Sequence, residues 1–346
     1  MPELFVTNFN RNFTGVSGTA AGVVRHQARQ FDMCLVGHPL PGAPEPISRA
    51  LAKSLSRTPP QGKPFAIWHV RRDPEMMTAI WARDVLRLPI RIVFTSAAQR
   101  YHSWFPRWLI SRMDAVIATT DRAADFVPHV RAVVPHGVDT DRFRPVADGA
   151  KTWAQTGYPG QRGIATIGRI RPEKGTDVFV DTALRVLPDH PDTTALIIGK
   201  TKSKDAAFLQ GLKDKIAAAG LSDRILFVGE LGPDALADLL PQLDLVMQLP
   251  RYEGYGLAPL EAMSCGVPLL ASDAGYFREF TAQGAGEIVP LDDAEAAAQN
   301  LSALLSDSAR LATMGSTARQ DATTRFSIHN EVAGINAVYD QLWTAT

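Results

Sequence analysis

The sequence predicts an α/β chain made of two consecutive doubly wound units, each a parallel sheet covered by helices. Three observations carry this prediction. Twelve short aliphatic or β-branched runs alternate with longer helical stretches, the signature of strands buried on both faces. A segment rich in proline, glycine and charge, residues 142–149, separates the first six runs from the last six and suits a hinge. The length of 346 residues exceeds what one hydrophobic core usually serves.

The first series runs Leu4–Thr7, Met33–Val36, Phe65–Val70, Ile92–Thr95, Ala115–Ala118 and Ala132–Val134. The second runs Ile164–Ile167, Ala195–Ile198, Ile225–Val228, Leu245–Leu249, Leu269–Ala271 and Glu287–Val289. The boundary is expected near residue 150, giving domains 1–150 and 151–324. Ala294–Leu305, Ala309–Thr323 and Ile328–Leu342 keep helical periodicity without a strand signal, and residues 325–346 are expected as a last helix packing back toward the first domain. Open α/β sheets bind ligands at the carboxyl ends of their strands. Two such sheets facing each other would line one central cleft with their loops.

Composition narrows the partners. The formal net charge is zero, but residues 1–150 carry 19 basic against 12 acidic side chains (+7), and the remainder 17 against 24 (−7). Nine of the basic residues fall within 63–112, facing only Asp73, Glu75 and Asp84. A face that basic favours an anionic partner, although any one arginine also suits a solvated helix face. No nucleic-acid partner is read from it. The N-terminus lacks a basic, then apolar, leader and no long apolar run appears, so a cytoplasmic protein is expected, with peripheral membrane contact left open. Cys34 and Cys265 give neither a disulfide framework nor a zinc site.

The strongest motif is Pro250-Arg251-Tyr252-Glu253-Gly254-Tyr255-Gly256-Leu257-Ala258-Pro259-Leu260-Glu261-Ala262-Met263, closed by Gly266 and Pro268. A strand ends before it, a glycine loop follows, and a helix is expected from about Leu257, with Pro259 in its first turn where a missing N–H costs little. Backbone amides from Gly254 to Leu257 would form an anion and hydroxyl cradle. Two carboxylates at different depths, Glu253 and Glu261, could hold two sets of hydroxyls. A second motif, Gly168-Arg169-Ile170-Arg171-Pro172-Glu173-Lys174-Gly175, follows the first strand of the second unit and adds two cations.

The first motif closely resembles the E-x7-E segment of retaining GT-B glycosyltransferases, and the second resembles that family's diphosphate site. The resemblance implies a GT-B fold of two Rossmann-like domains, with Glu253 addressing the donor sugar's hydroxyls and Glu261 the ribose. It also implies that Arg169 and Lys174 stabilise the departing diphosphate, where negative charge develops. Val228-Gly229-Glu230-Leu231 would approach the nucleotide base, largely through backbone, so Gly229 and Glu230 join the donor set with Gly254, Tyr255, Gly256 and Leu257.

In the first unit, Thr14-Gly15-Val16-Ser17-Gly18-Thr19 follows the opening strand. Its spacing is not that of a dinucleotide fingerprint, and the resemblance places Gly15 and Gly18 near the donor diphosphate. Trp68-His69-Val70-Arg71-Arg72 puts a histidine and two arginines at a strand end, and the resemblance implies His69 near the reacting centre. With Thr95–Arg100 and Arg107–Thr119, this segment resembles the mannosyltransferases of lipopolysaccharide core assembly. That branch implies GDP-mannose as donor and an anionic, Kdo-containing lipid-linked saccharide as acceptor, with Arg71, Arg72 and Arg100 as acceptor contacts. Asp139-Thr140-Asp141 is read as a domain-edge turn, so neither a metal nor any other cofactor is expected. The rival readings are a UDP-sugar transferase of the same fold, a nucleotide-sugar epimerase, and a nucleotide- or carbohydrate-binding module without turnover.

Overall fold

The computed structural model of the protein describes residues 1–12, 14–147 and 152–345. Two compact units emerge: Met1–Gly137 together with Phe326–Thr346, and Val138–Arg325. Of the expected hinge, residues 148 and 149 lie outside the described residues, as does the position proposed for the domain boundary.

Unit 1 contains β1 (Leu4–Asn8), β2 (Met33–Gly37), β3 (Ala66–Val70), β4 (Ile90–Ser96), β5 (Ala115–Ala118) and β6 (Val130–Val133) in the spatial order β2-β1-β3-β4-β5-β6. Unit 2 contains β7 (Arg162–Ile167), β8 (Thr193–Ile198), β9 (Ile225–Gly229), β10 (Leu245–Gln248), β11 (Leu269–Ser272) and β12 (Gly286–Val289) in the order β12-β11-β10-β7-β8-β9. Every pairing is parallel, for example Val70 beside Phe94 and Val246 beside Ala165. Both sheets are therefore doubly wound, as the alternation of apolar runs predicts.

The near-continuous apolar strands are explained by burial on both faces. Successive side chains point to opposite faces. Along β1 and β3, Val6 and Ile67 join a core with Val332, Ile335 and Tyr339 of the terminal helix Ile328–Thr344. Phe5 and Trp68 join the other core with Met76 and Leu109. In unit 2, Ile164, Met247 and Leu270 pack with Phe179 and Leu301.

The strand orders also place the crevices where open α/β sheets bind ligands. The chain leaves β1 toward β2 on one side and β3 on the other, and leaves β7 toward β8 and β9 before returning to lay β10 on its opposite flank. Each reversal opens a crevice outside the carboxyl ends of the central strands. In unit 2 that crevice lies beside the loops leaving β7 and β10, which carry the two motifs.

Candidate active site

At the unit 2 crevice, β7 ends at Ile167 and the chain passes through Gly168 and Arg169 into a tight turn, Pro172–Lys174. Gly175 follows with φ of +63°, and a Cβ there would collide with the Leu249 carbonyl at the end of β10. Glycine thus permits both the left-handed backbone and the close approach of the two loops. The second loop closes the same way. Gly256 adopts φ of +104° against the Phe277 ring and caps the helix Leu257–Ser264, whose Pro259 sits in the first turn as expected.

This approach brings Lys174 and Glu253, 79 residues apart in sequence, into an ion pair through Nζ and Oε2. Both side chains keep about a fifth of their surface exposed. Glu253 Oε1 accepts the Gly254 N–H at 3.0 Å, so that amide of the expected cradle is already engaged by its neighbour's carboxylate. Tyr255 is buried and stacked on Tyr276, with ring centroids 5.1 Å apart, and so braces the loop from behind. Arg169 is exposed on the β7 loop.

Glu261 lies in the helix after the glycine loop, half-buried by surface area but deep in the packed protein around it. Burial pushes its carboxyl up to about 7, and Arg142 pulls it back only in part. Its backbone carbonyl accepts the Cys265 N–H at 3.2 Å in the last turn of the helix. A carboxyl in this setting suits a ligand's hydroxyls. At the end of β9, Gly229 has φ of +85° with open space beside it, and Glu230 pairs with Lys200 at 2.5 Å on the exposed rim. Gly229, Glu230, Glu253 and Glu261 thus belong to one unit and to the loops or helix following β9 and β10.

The unit 1 residues lie at the ends of β1, β3 and β4 and in the helix after β1. His69 is fully buried inside β3: Nε2 faces the Thr95 hydroxyl at 2.7 Å and Nδ1 the Tyr339 hydroxyl at 2.5 Å. Burial, reinforced by Arg71, holds its imidazole well below the ordinary value and therefore neutral. Both ring nitrogens of His69 are thus engaged by side chains of its own unit. Arg72 is not a free surface cation either. It donates to Asn8 Oδ1 at 3.1 Å, Glu75 Oε1 at 3.0 Å and Ser17 Oγ at 3.0 Å, tying the ends of β1 and β3 together. Arg71 is only 8% exposed, and its Nη1 is buried without a hydrogen-bond partner among the described residues. Arg100 is exposed. Gly15 and Gly18 lie in the first turn of the helix Gly15–Gln27, and the Gly18 N–H donates to the Thr14 carbonyl at 2.9 Å.

Comparison with known proteins decides the family. The family model for glycosyl transferases group 1 matches residues 152–321. The lipopolysaccharide core biosynthesis mannosyltransferase LpsB of Rhizobium meliloti (strain 1021) is 39% identical, over 98% of this chain and 97% of that protein. The chain belongs to the group 1 glycosyltransferases. A second relative, the lipopolysaccharide core biosynthesis mannosyltransferase LpcC of Rhizobium leguminosarum bv. viciae, is 38% identical over 98% of this glycosyltransferase and 96% of its own length. The fold is shared with the crystal structure of Anabaena Alr3699/HepE in complex with UDP and glucose, at a TM-score of 0.83 and 16% identity, covering 99% of this chain and all of that one.

Three residues of this glycosyltransferase escaped sequence reasoning. Glu75 is fully buried and accepts from the Thr7 hydroxyl at 2.9 Å and from the Phe9 and Arg71 amides at 3.0 and 2.8 Å, besides Arg72, so it organises the unit 1 crevice. Its only sequence signal is an acid in the first turn of a helix. Tyr339 and Arg251 are the others; the former gave no signal, and the latter stood inside the quoted motif without a role. Asp139 accepts the Arg142 N–H at 3.1 Å, an internal contact of the turn.

Proposed function

We propose that this glycosyltransferase transfers mannose from GDP-mannose, with retention of anomeric configuration, onto an anionic, Kdo-containing saccharide of the lipopolysaccharide core. The observation that carries the donor site is the Lys174–Glu253 pair at the unit 2 crevice. Without ligand the two charges neutralise each other. An arriving diphosphate competes for Lys174, which frees Glu253 for the sugar's hydroxyls, while Glu261 takes the ribose and Gly229 and Glu230 border the base. The names of the full-length relatives support mannose and the lipopolysaccharide core.

In the transfer, the bond from the anomeric carbon to the diphosphate oxygen breaks and the bond to the acceptor oxygen forms on the same face. The acceptor's proton passes to the departing diphosphate oxygen. Lys174 and Arg169 stabilise the charge that develops there, Lys as a movable point charge and Arg as a fork. For the acceptor, Arg71 offers a buried guanidinium with an unsatisfied Nη1, a costly arrangement that an anionic group would relieve. Arg100 adds an exposed cation.

Contact with a membrane surface is supported by the helix Trp104–Ser111. Trp104 and Trp108, one turn apart on the same face, are 78% and 50% exposed, with exposed Tyr101, Arg100 and Arg107 close by in sequence. No helix among the described residues is long and apolar enough to cross a membrane. Aromatic rings with basic neighbours suit an anionic interface.

Thermal unfolding with GDP, UDP and ADP tests the donor assignment. A nucleotide at 100 times its Kd stabilises by about 2.7 kcal/mol, and GDP is expected to give the largest shift at equal concentration. A larger shift with UDP would reassign the donor, and no shift with any of the three would remove the nucleotide site.

A further inference from the structure

We infer that Arg251 is a positioning residue that sets the Lys174–Glu253 pair by tying together three strand ends of unit 2. The inference rests on the donor-site reading above. Arg251 leaves the end of β10 two residues before Glu253. Its Nη1 and Nη2 donate to Asp177 Oδ1 and Oδ2 at 2.9 and 2.8 Å, a fork-to-fork contact with the first turn of the helix Thr176–Val186. Its Nε reaches Asp292 Oδ1 at 2.6 Å, just beyond β12. Nη1 also donates to the Pro172 carbonyl, and the Arg251 backbone N–H donates to the Glu173 carbonyl at 3.1 Å.

These contacts bracket Lys174 on its own loop, with Pro172 and Glu173 before it and Asp177 after it. Asp292 holds φ of +57°, uncommon for a residue with a side chain. Its carboxylate is thus presented to Arg251 from a costly backbone conformation, which persists only where the surroundings over-determine it.

Magnitudes separate positioning from stabilisation. The Arg251 and Asp177 side chains keep 33% and 31% of their surface exposed. Ion pairs that open to solvent contribute little to folding. A planar guanidinium that satisfies two carboxylates and a carbonyl at once instead fixes direction, which a lysine's point charge would not. The value of the network is therefore geometric, and it is realised when Lys174 and Glu253 meet a ligand.

The test is a double-mutant cycle on the full chain. The parent, Arg251→Met, Asp177→Asn, Lys174→Met and the Arg251→Met/Lys174→Met double variant are titrated with GDP and with UDP, and their thermal unfolding is followed in parallel. Arg251→Met is expected to weaken binding of the nucleotide that the parent prefers about tenfold, within the coupling range of residues in one network. The double variant should bind no more weakly than Lys174→Met alone, because once the lysine is gone Arg251 has no cation left to place. A role confined to structure would lower the unfolding temperature without that coupling. If Arg251→Met fails to fold, the same cycle with Asp177→Asn decides. Additive losses, or parental affinity in Arg251→Met while Lys174→Met loses it, overturn the positioning role and leave the donor site standing. A parent that binds neither nucleotide, or a Lys174→Met variant with parental affinity, overturns the donor-site reading itself.

Discussion

Replacing Glu261 by glutamine should stabilise the ligand-free protein, and by more at pH 8 than at pH 5. Burial raises this carboxyl from 4.5 to about 7 in the folded state. Between those values the folded protein holds a proton that the unfolded chain releases, so raising the pH through this window costs stability, and the loss levels off above the folded value. Glutamine mimics the neutral acid at every pH and escapes the loss. Proton linkage with these two values gives a penalty for glutamate of about 1 kcal/mol at pH 5 and about 3 kcal/mol at pH 8. The advantage of Glu261→Gln should therefore grow by about 2 kcal/mol between the two. For a unit of this size, that difference corresponds to roughly 4–8 °C in the unfolding temperature. Urea melts of both proteins at both pH values measure it directly, since comparing parent with variant at each pH cancels the titration of other groups. The same substitution should weaken nucleoside diphosphate binding, so that stability is gained where function is lost. An equal stability difference at pH 5 and pH 8, or a variant less stable than the parent at pH 8, would refute the reasoning.

Three further outcomes are expected. Lys174→Met should lower transfer by a factor on the order of 10² while the protein stays folded, because it removes a cation from the leaving group; steady-state kinetics within twofold of the parent would contradict this. Tyr339→Phe should cost about 1–3 kcal/mol in denaturant melts, since it strips His69 Nδ1 and Gln27 Nε2 of a buried partner, and unchanged stability would show that the network is not needed. Transfer should survive excess EDTA, because Arg169, Lys174 and backbone amides address the diphosphate; complete loss restored by manganese or magnesium would return Asp139 and Asp141 to consideration.

The strands and the unit 2 motifs were legible because their determinants are local. Ala115–Ala118 or Leu269–Ala271 reads as a buried parallel strand from composition alone, and Gly175 and Gly256 mark turns that only glycine fits. The unit 1 residues were not legible in the same way. Whether His69 is open or enclosed depends on Tyr339, 270 residues later, and no sequence period reports that contact. The engagement of Arg72 likewise depends on Asn8 and Ser17, which only the sheet order β2-β1-β3 brings beside it. A cluster of arginines looks like an anion-binding face in sequence. In the folded chain one of them is a crosslink, one is buried, and Arg100 is exposed. Glu75 was missed for the same reason, since its partners come from two different strand ends.

We propose retaining transfer of mannose from GDP-mannose to a lipopolysaccharide core acceptor. Its most direct test incubates the purified full chain with core acceptor lacking the terminal mannose and, in separate reactions, GDP-mannose, UDP-glucose and UDP-N-acetylglucosamine. Product is quantified by mass, and its anomeric configuration is read by NMR. An α-mannoside formed from GDP-mannose is expected, with kcat/KM for that donor well above that for either UDP-sugar. A β-linked product would contradict retention, and efficient transfer from a UDP-sugar with none from GDP-mannose would contradict the donor.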